Sequence, residues 1–142
     1  MSVQERTLVK AAWLARERAY APYSQFKVGA AIETRSGQIF TGCNVEIANY
    51  GCTVCAERTA ILKAVSEGGL NPGGLVTVVV ATDTSQPTAP CGSCRQVIEE
   101  FATPETRVLI SNQQGKVAMS FYHGELFPHA FNASQIETPS ED

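Results

Sequence analysis

The chain has 142 residues, 44% of them hydrophobic and 18% charged, with 11 Lys and Arg against 14 Asp and Glu for a net charge of −3. That length suits one domain with a core large enough to fold without disulfides, and the mildly acidic balance, with no Lys or Arg stripe, argues against a nucleic-acid surface. No apolar stretch approaches the ~18 residues of a membrane span, and the start, Met1–Arg6, lacks the basic and then apolar profile of a secretory leader, so a soluble cytoplasmic protein is expected.

Val3, Leu8, Ala11, Ala12, Ala15 and Ala19 fall near helical spacing, and Pro22 closes the segment, which predicts an amphipathic helix from Val3 to about Tyr20. Two β-rich stretches follow, Phe26–Thr34 and Gln38–Glu46, joined by turn material at Arg35-Ser36-Gly37. Good helix formers run from about Val54 to Glu67 and end at Gly68-Gly69. Leu75–Thr82 is apolar and β-branched nearly throughout, as in a strand covered on both faces. Pro90 opens a second marked helix to about Phe101. Arg107–Asn112 and Val117–Phe121 read as two short strands, and the stretch from about Asn132 to Asp142 as a polar, frayed tail. Residues 1–131 then form the single domain.

Five cysteines cannot all pair internally, and a cytosolic chain keeps its thiols reduced, so metal binding is the leading use for some of them. Cys55 would open one helix, with Cys91 and Cys94 in the first turn of another. Two helix N-termini would then point at one spot, where positive dipole ends favour thiolates. Three ligands leave a fourth tetrahedral position open, the mark of a catalytic zinc, and zinc lowers the pKa of bound water from ~16 toward ~7. Glu57, two residues after Cys55, points away from the ligand face and suits proton transfer. Arg58 can offset the charge of three thiolates by hydrogen bonding to sulfur. Two other readings stay open on these residues alone: a closed structural zinc using Cys52, Cys55, Cys91 and Cys94, and a redox pair at Cys91 and Cys94.

The motifs Ala21-Pro22-Tyr23-Ser24-Gln25-Phe26-Lys27-Val28-Gly29-Ala30, Gly42-Cys43-Asn44-Val45-Glu46, Cys55-Ala56-Glu57-Arg58-Thr59-Ala60 and Pro90-Cys91-Gly92-Ser93-Cys94-Arg95-Gln96 resemble the cytidine deaminase family, in its small homotetrameric type that acts on free nucleosides. The resemblance spans about Ala19 to Phe131. It implies an α/β fold of three layers, α/β/α, around a mixed sheet of about five strands. It also implies one Zn2+ per subunit and hydrolytic removal of the amine at C4 of cytidine or 2'-deoxycytidine, with Glu57 carrying protons to N3 and to the departing ammonia. By the same resemblance Asn44 and Glu46 meet the sugar, Phe26 and Ala56 meet the base, and Tyr50 and Phe131 reach a neighbouring subunit's site. A homotetramer whose active sites are completed by neighbouring subunits is therefore expected.

Without the family, Asn44 and Glu46 read as the polar face of an edge strand and Phe26 as a core aromatic. Cys43 and Cys52 read as buried small hydrophobes, and His123 and His129 as structural. The chain departs from the family at Ile47, where relatives commonly have Asn, and at His129, where Gly commonly precedes Ala130-Phe131. A nucleic-acid-editing deaminase and a deaminase of an unusual aminopyrimidine nucleoside are the remaining alternatives within this chemistry.

Overall fold

In the computed structural model, which describes residues 1–136, five strands form one mixed sheet in the order β2-β1-β3-β4-β5. Helix α1 (Val3–Arg16) comes first, then β1 (Val28–Thr34), β2 (Ile39–Cys43), α2 (Ala56–Ser66), β3 (Leu75–Thr82), α3 (Gly92–Phe101), β4 (Ala102–Ser111), β5 (Met119–Tyr122) and the one-turn α4 (His123–Leu126). β3 and β4 pair in parallel across the α3 connection, and every other neighbouring pair is antiparallel.

The sheet's two faces carry separate cores. Leu8, Val9, Ala12 and Trp13 of α1 pack on Ala31, Val79, Ala81 and Leu109. On the opposite face Ala60, Ile61 and Ala64 of α2 and Ile98 of α3 pack on Ile32, Val78, Val80, Val108 and Ile110. The alternation follows from the two-residue period of a strand, and it gives the expected α/β/α layers. Trp13, absent from the helical pattern read in the sequence, anchors its layer through a 2.8 Å hydrogen bond from Nε1 to Ser111 Oγ.

Two glycines set how closely the helices approach. A Cβ at Gly29 would stand 2.0 Å from the Ala12 carbonyl oxygen, and one at Gly42 would stand 2.5 Å from Ala60 N and 2.6 Å from Ala56 O. Gly42 pairs with Ala30, so α2 lies flat on the β1–β2 edge with its N-terminus at the end of the sheet.

Several boundaries move from the expected ones. α1 ends at Arg16, not near Tyr20, because the Tyr20 backbone is taken into sheet-like pairing: its N–H donates to Asn44 O (3.0 Å) and its carbonyl accepts from Glu46 N (2.8 Å). β2 ends at Cys43, which leaves Asn44 and Glu46 beyond the strand and not two apart on its face. α2 and α3 begin at Ala56 and Gly92, with Cys55 and Cys91 as their N-caps. β4 is longer than expected, running from Ala102 to Ser111, and α4 had no signal at four residues. Ala133–Gln135 forms a short 3-10 turn closed by a reciprocal Asn132–Gln135 capping box, so the expected tail is ordered at its start. The rest of that tail lies outside the described residues.

Candidate metal and catalytic centre

The N-termini of α2 and α3 converge beyond the C-terminal end of β3, the place where open α/β sheets form their binding crevices. Cys55, Cys91 and Cys94 meet there, with all three sulfurs within 4.8 Å of one another. Cys55 Sγ is 4.0 Å from Cys91 Sγ, and Cys91 Sγ is 3.4 Å from Cys94 Sγ. Zn–S bonds of about 2.3 Å at tetrahedral angles place sulfurs about 3.8 Å apart, so the triangle fits one zinc ion with a vertex left over. Among the described residues Cys52 is not part of the cluster; it is exposed, as Cys91 is, and not the buried hydrophobe expected. Cys43 is half-buried.

Arg58 lies as anticipated beside the sulfurs. Its Nη2 donates to Cys55 Sγ (3.4 Å) and to the Thr53 carbonyl (3.2 Å), which ties the guanidinium to the turn before α2. The Cys55 thiol is drawn down to about 5, first by its hydrogen bond with Cys94 and then, against the opposing effect of burial, by the hydrogen bond and charge of Arg58. Cys94, fully buried, is pushed upward as the partner that keeps the proton. Thiolate character thus concentrates on Cys55, at a helix N-terminus where it is most favoured.

Glu57, in the first turn of α2, is only 4% exposed. Burial is the main reason its carboxyl holds a proton more tightly than usual. Beside it opens a cavity of about 200 Å³, lined by Cys55, Ala56, Glu57 and Cys91 at its floor and by Phe26, Val28, Asn44 and Val80 among its walls. A larger groove of about 570 Å³ runs past Trp13 and Leu14 on the other side of the sheet, but its lining offers no metal ligand cluster and no buried acid.

The other anticipated residues divide. Phe26 is 41% exposed and faces the cavity, not the core. Asn44 also faces it, yet its side chain is already engaged: Nδ2 donates to Phe26 O (2.8 Å) and Oδ1 accepts from Val28 N (2.9 Å). Glu46 lies outside the lining and accepts the N–H groups of Tyr23 and Ser24 (both 3.1 Å) as well as the Ser24 hydroxyl. Its carboxyl is held below the usual range, first by the Ser24 hydroxyl and then by the Ser24 N–H. Both residues therefore brace the loop that presents Phe26. Tyr50 and Phe131 do not line the cavity and stand 69% and 56% exposed. Ile47 is also exposed.

Sequence reasoning assigned no role to Thr53, Thr82 or Thr88, which also line the walls, nor to Arg95, although its motif was noted. Thr53 and Arg95 bond backbone groups, while Thr82 and Thr88 both meet the Thr84 hydroxyl, and residue identity carries no trace of such bonds. His123 is buried against Glu99 (2.9 Å), and His129 adopts a left-handed φ of 56°.

The family model for the cytidine and deoxycytidylate deaminase zinc-binding region matches residues 2–110. The chain belongs to the cytidine deaminase family. A cytidine deaminase from Halalkalibacterium halodurans is 44% identical over 94% of this chain and 98% of its own length. Among solved structures, the cytidine deaminase from Burkholderia pseudomallei superposes with a TM-score of 0.84 at 48% identity, covering 92% of this chain and all of that one. The enzyme from Mycobacterium tuberculosis gives 0.75 at 37%, covering 92% and 98%. The left-handed backbone at His129 suits the glycine that the family resemblance leads one to expect there, since only glycine takes that conformation without steric cost. Among the described residues no helix is long and apolar enough to cross a membrane.

Proposed function

We propose that the protein hydrolyses free cytidine and 2'-deoxycytidine to uridine and 2'-deoxyuridine with release of ammonia. The observation that carries this reading is the juxtaposition of a three-sulfur cluster, spaced for one zinc, with a buried carboxyl that faces the same small cavity. Cys55, Cys91 and Cys94 would hold the ion, which when bound supplies an acidified water at neutral pH. Glu57 holds a proton in a water-poor site and gives it to the ring N3 as the water's oxygen bonds to C4; the carboxylate left behind then takes the remaining proton of that C4 hydroxyl and passes it to the exocyclic nitrogen, so that the C4–N bond breaks, C4 becomes a carbonyl and the amine leaves as ammonia. Phe26, Val28 and Val80 offer flat apolar walls to a pyrimidine and exclude bulk water. Asn44 retains one N–H and one lone pair beyond its loop contacts, enough for a sugar hydroxyl. Glu46 acts on the sugar through the same loop.

A homotetramer that completes each site is the matching proposal for assembly. The cavity within one chain, about 200 Å³, is below the ~300 Å³ at which ligand pockets begin. Tyr50 and Phe131 are large aromatics left exposed near chain segments that border it. A place in pyrimidine salvage follows from free nucleosides as substrates.

The test is direct. Purified protein is mixed with cytidine or deoxycytidine, loss of the cytosine absorbance is followed, and the assay is repeated after chelation and with Cys52→Ala. Turnover that needs zinc and a Cys52→Ala protein that keeps one zinc per chain are expected. Zinc-independent turnover, or loss of zinc with Cys52, refutes the assignment. Sedimentation across a dilution series, read against specific activity, tests the tetramer: active monomers refute it.

A further inference from the structure

Cys91 is the least restrained of the three sulfur ligands. It is exposed, it is the N-cap of α3 in extended conformation, and its side chain makes no capping bond. Pro90 before it has no N–H, so its carbonyl is the one backbone hydrogen-bonding group that this residue offers. That carbonyl accepts from Arg95 Nε at 2.8 Å. The next carbonyl, of Cys91 itself, accepts from the Arg95 backbone N–H at 3.0 Å. Arg95 Nη1 meanwhile donates to the Leu126 carbonyl at 2.8 Å, in the last turn of α4.

Arg95 belongs to a polar stripe on α3 that also includes Gln96 and Glu99. Gln96 Nε2 donates to the Phe131 carbonyl (2.8 Å), and Glu99 pairs with His123 (2.9 Å). All three side chains hold the C-terminal segment, but only Arg95 also grips the turn that carries a ligand. A guanidinium can do this because its donors diverge in a rigid plane, whereas an ammonium is a point charge.

We propose that Arg95 is a positioning residue for the metal centre: its fork sets the Pro90–Cys91 turn, and with it the aim of Cys91 Sγ, against the fixed carbonyl of Leu126. It lies outside both the sulfur cluster and the lining of the cavity. The proposal rests on the zinc reading of the three cysteines given above. It separates two jobs along one helix, with Cys94 held by burial in the first turn and Cys91 held by a side chain one residue beyond it.

The experiment measures zinc affinity by chelator competition in wild type, Arg95→Lys, Arg95→Gln and Gln96→Ala. Each is also loaded with cobalt(II) to record the thiolate charge-transfer and d–d bands, which report the sulfur geometry independently of turnover. Groups that orient metal ligands typically contribute 10–100-fold to affinity, so a loss of about that size is expected in both Arg95 variants, with an altered cobalt spectrum. Gln96→Ala, which frees only the Phe131 carbonyl, is expected to match wild type in both. Arg95→Lys within threefold of wild type overturns the proposal, since charge alone then suffices; so does an equal loss in Gln96→Ala, which would make docking of the C-terminal segment the cause. Should an Arg95 variant fold only with metal present, the free zinc concentration that half-folds it at a fixed temperature is compared with that for an equally destabilised Gln96 variant instead. A higher concentration for the Arg95 variant supports the fork, and an equal one overturns it. Wild type that binds no zinc overturns the metal reading together with the proposal, while zinc-binding wild type with unaltered Arg95 variants overturns the proposal alone.

Discussion

Replacing Glu57 by Gln isolates the proton-carrying role, because the amide keeps the shape and one acceptor oxygen but cannot hold and release a proton. Positioned general acid–base groups contribute about 10²–10⁴ in rate, which at 1.36 kcal/mol per decade is about 2.7–5.4 kcal/mol of barrier. The burial of Glu57 argues for the upper part of that range, since a site closed to water offers no ready substitute. The same burial makes a second, opposite prediction for stability. In zinc-free protein the unfolded chain ionises this carboxyl above 4.5, whereas the folded chain resists ionisation. Wild-type stability therefore falls as pH rises from 4.5 toward the raised folded value, and Glu57→Gln lacks that loss. The assay pairs kcat at saturating cytidine with metal content and with chemical denaturation of zinc-free protein at pH 5 and pH 8. A fall in kcat of about 10³–10⁴-fold, one zinc per chain, and a stability advantage for the variant that is larger at pH 8 are expected. A kcat within tenfold of wild type would refute the proton role, and a variant less stable at pH 8 than at pH 5 relative to wild type would refute the account of its burial.

Glu46→Gln should act in the reverse sense. Its folded value lies below the usual 4.5, so it stabilises the wild type fully above that pH and loses this contribution as pH falls through the folded value; melting curves of variant and wild type should converge on acidification, and a gap that widens refutes the loop-bracing role. His129→Gly relieves a left-handed residue whose strain is about 1–2 kcal/mol, offset by about 0.5–1 kcal/mol of extra glycine entropy in the unfolded chain, for a net gain of about 0.5–1 kcal/mol in chemical denaturation. Gly42→Ala drives a methyl to 2.5 Å from Ala60 N and should cost about 1–3 kcal/mol while shifting the start of α2; unchanged stability and zinc affinity would show that the close approach does not matter.

How far the sequence reached depended on which groups made the bonds. β3 was legible residue for residue because Leu75–Thr82, Val76 apart, is buried and its composition answers to that burial. The helix starts at Cys55 and Cys91 were legible to within two residues, and with them the meeting of the three sulfurs; the burial of Glu57 was not. α1 was overextended because its alanine-rich pattern continues past Arg16, while the interaction that ends it, the pairing of Tyr20 with Asn44 and Glu46, joins segments 24 or more residues apart. The spacing of Asn44 and Glu46 suggested one strand face; in the structure they lie beyond β2, where their side chains bond the backbone of Phe26, Val28, Tyr23 and Ser24.

The same distinction explains why Arg95 was quoted in a motif and yet given no role. A thiolate's chemistry is written in its residue type, whereas a guanidinium's depends on which carbonyls the fold brings to it, here one five residues back and one 31 residues ahead. The metal centre thus has two tiers of legibility. The groups that would bind zinc and move protons sit on two helix starts and can be read from spacing. Those that hold the less restrained start in place act through backbone oxygens, so only after the C-terminal segment has folded over α3 does the reason for arginine at position 95, and not lysine, become visible. That order predicts that variants in α4 which shift the Leu126 carbonyl should disturb the Cys91 turn before they disturb Cys55 or Glu57, because α2 makes its own contacts with β1 and β2 on the far side of the cluster.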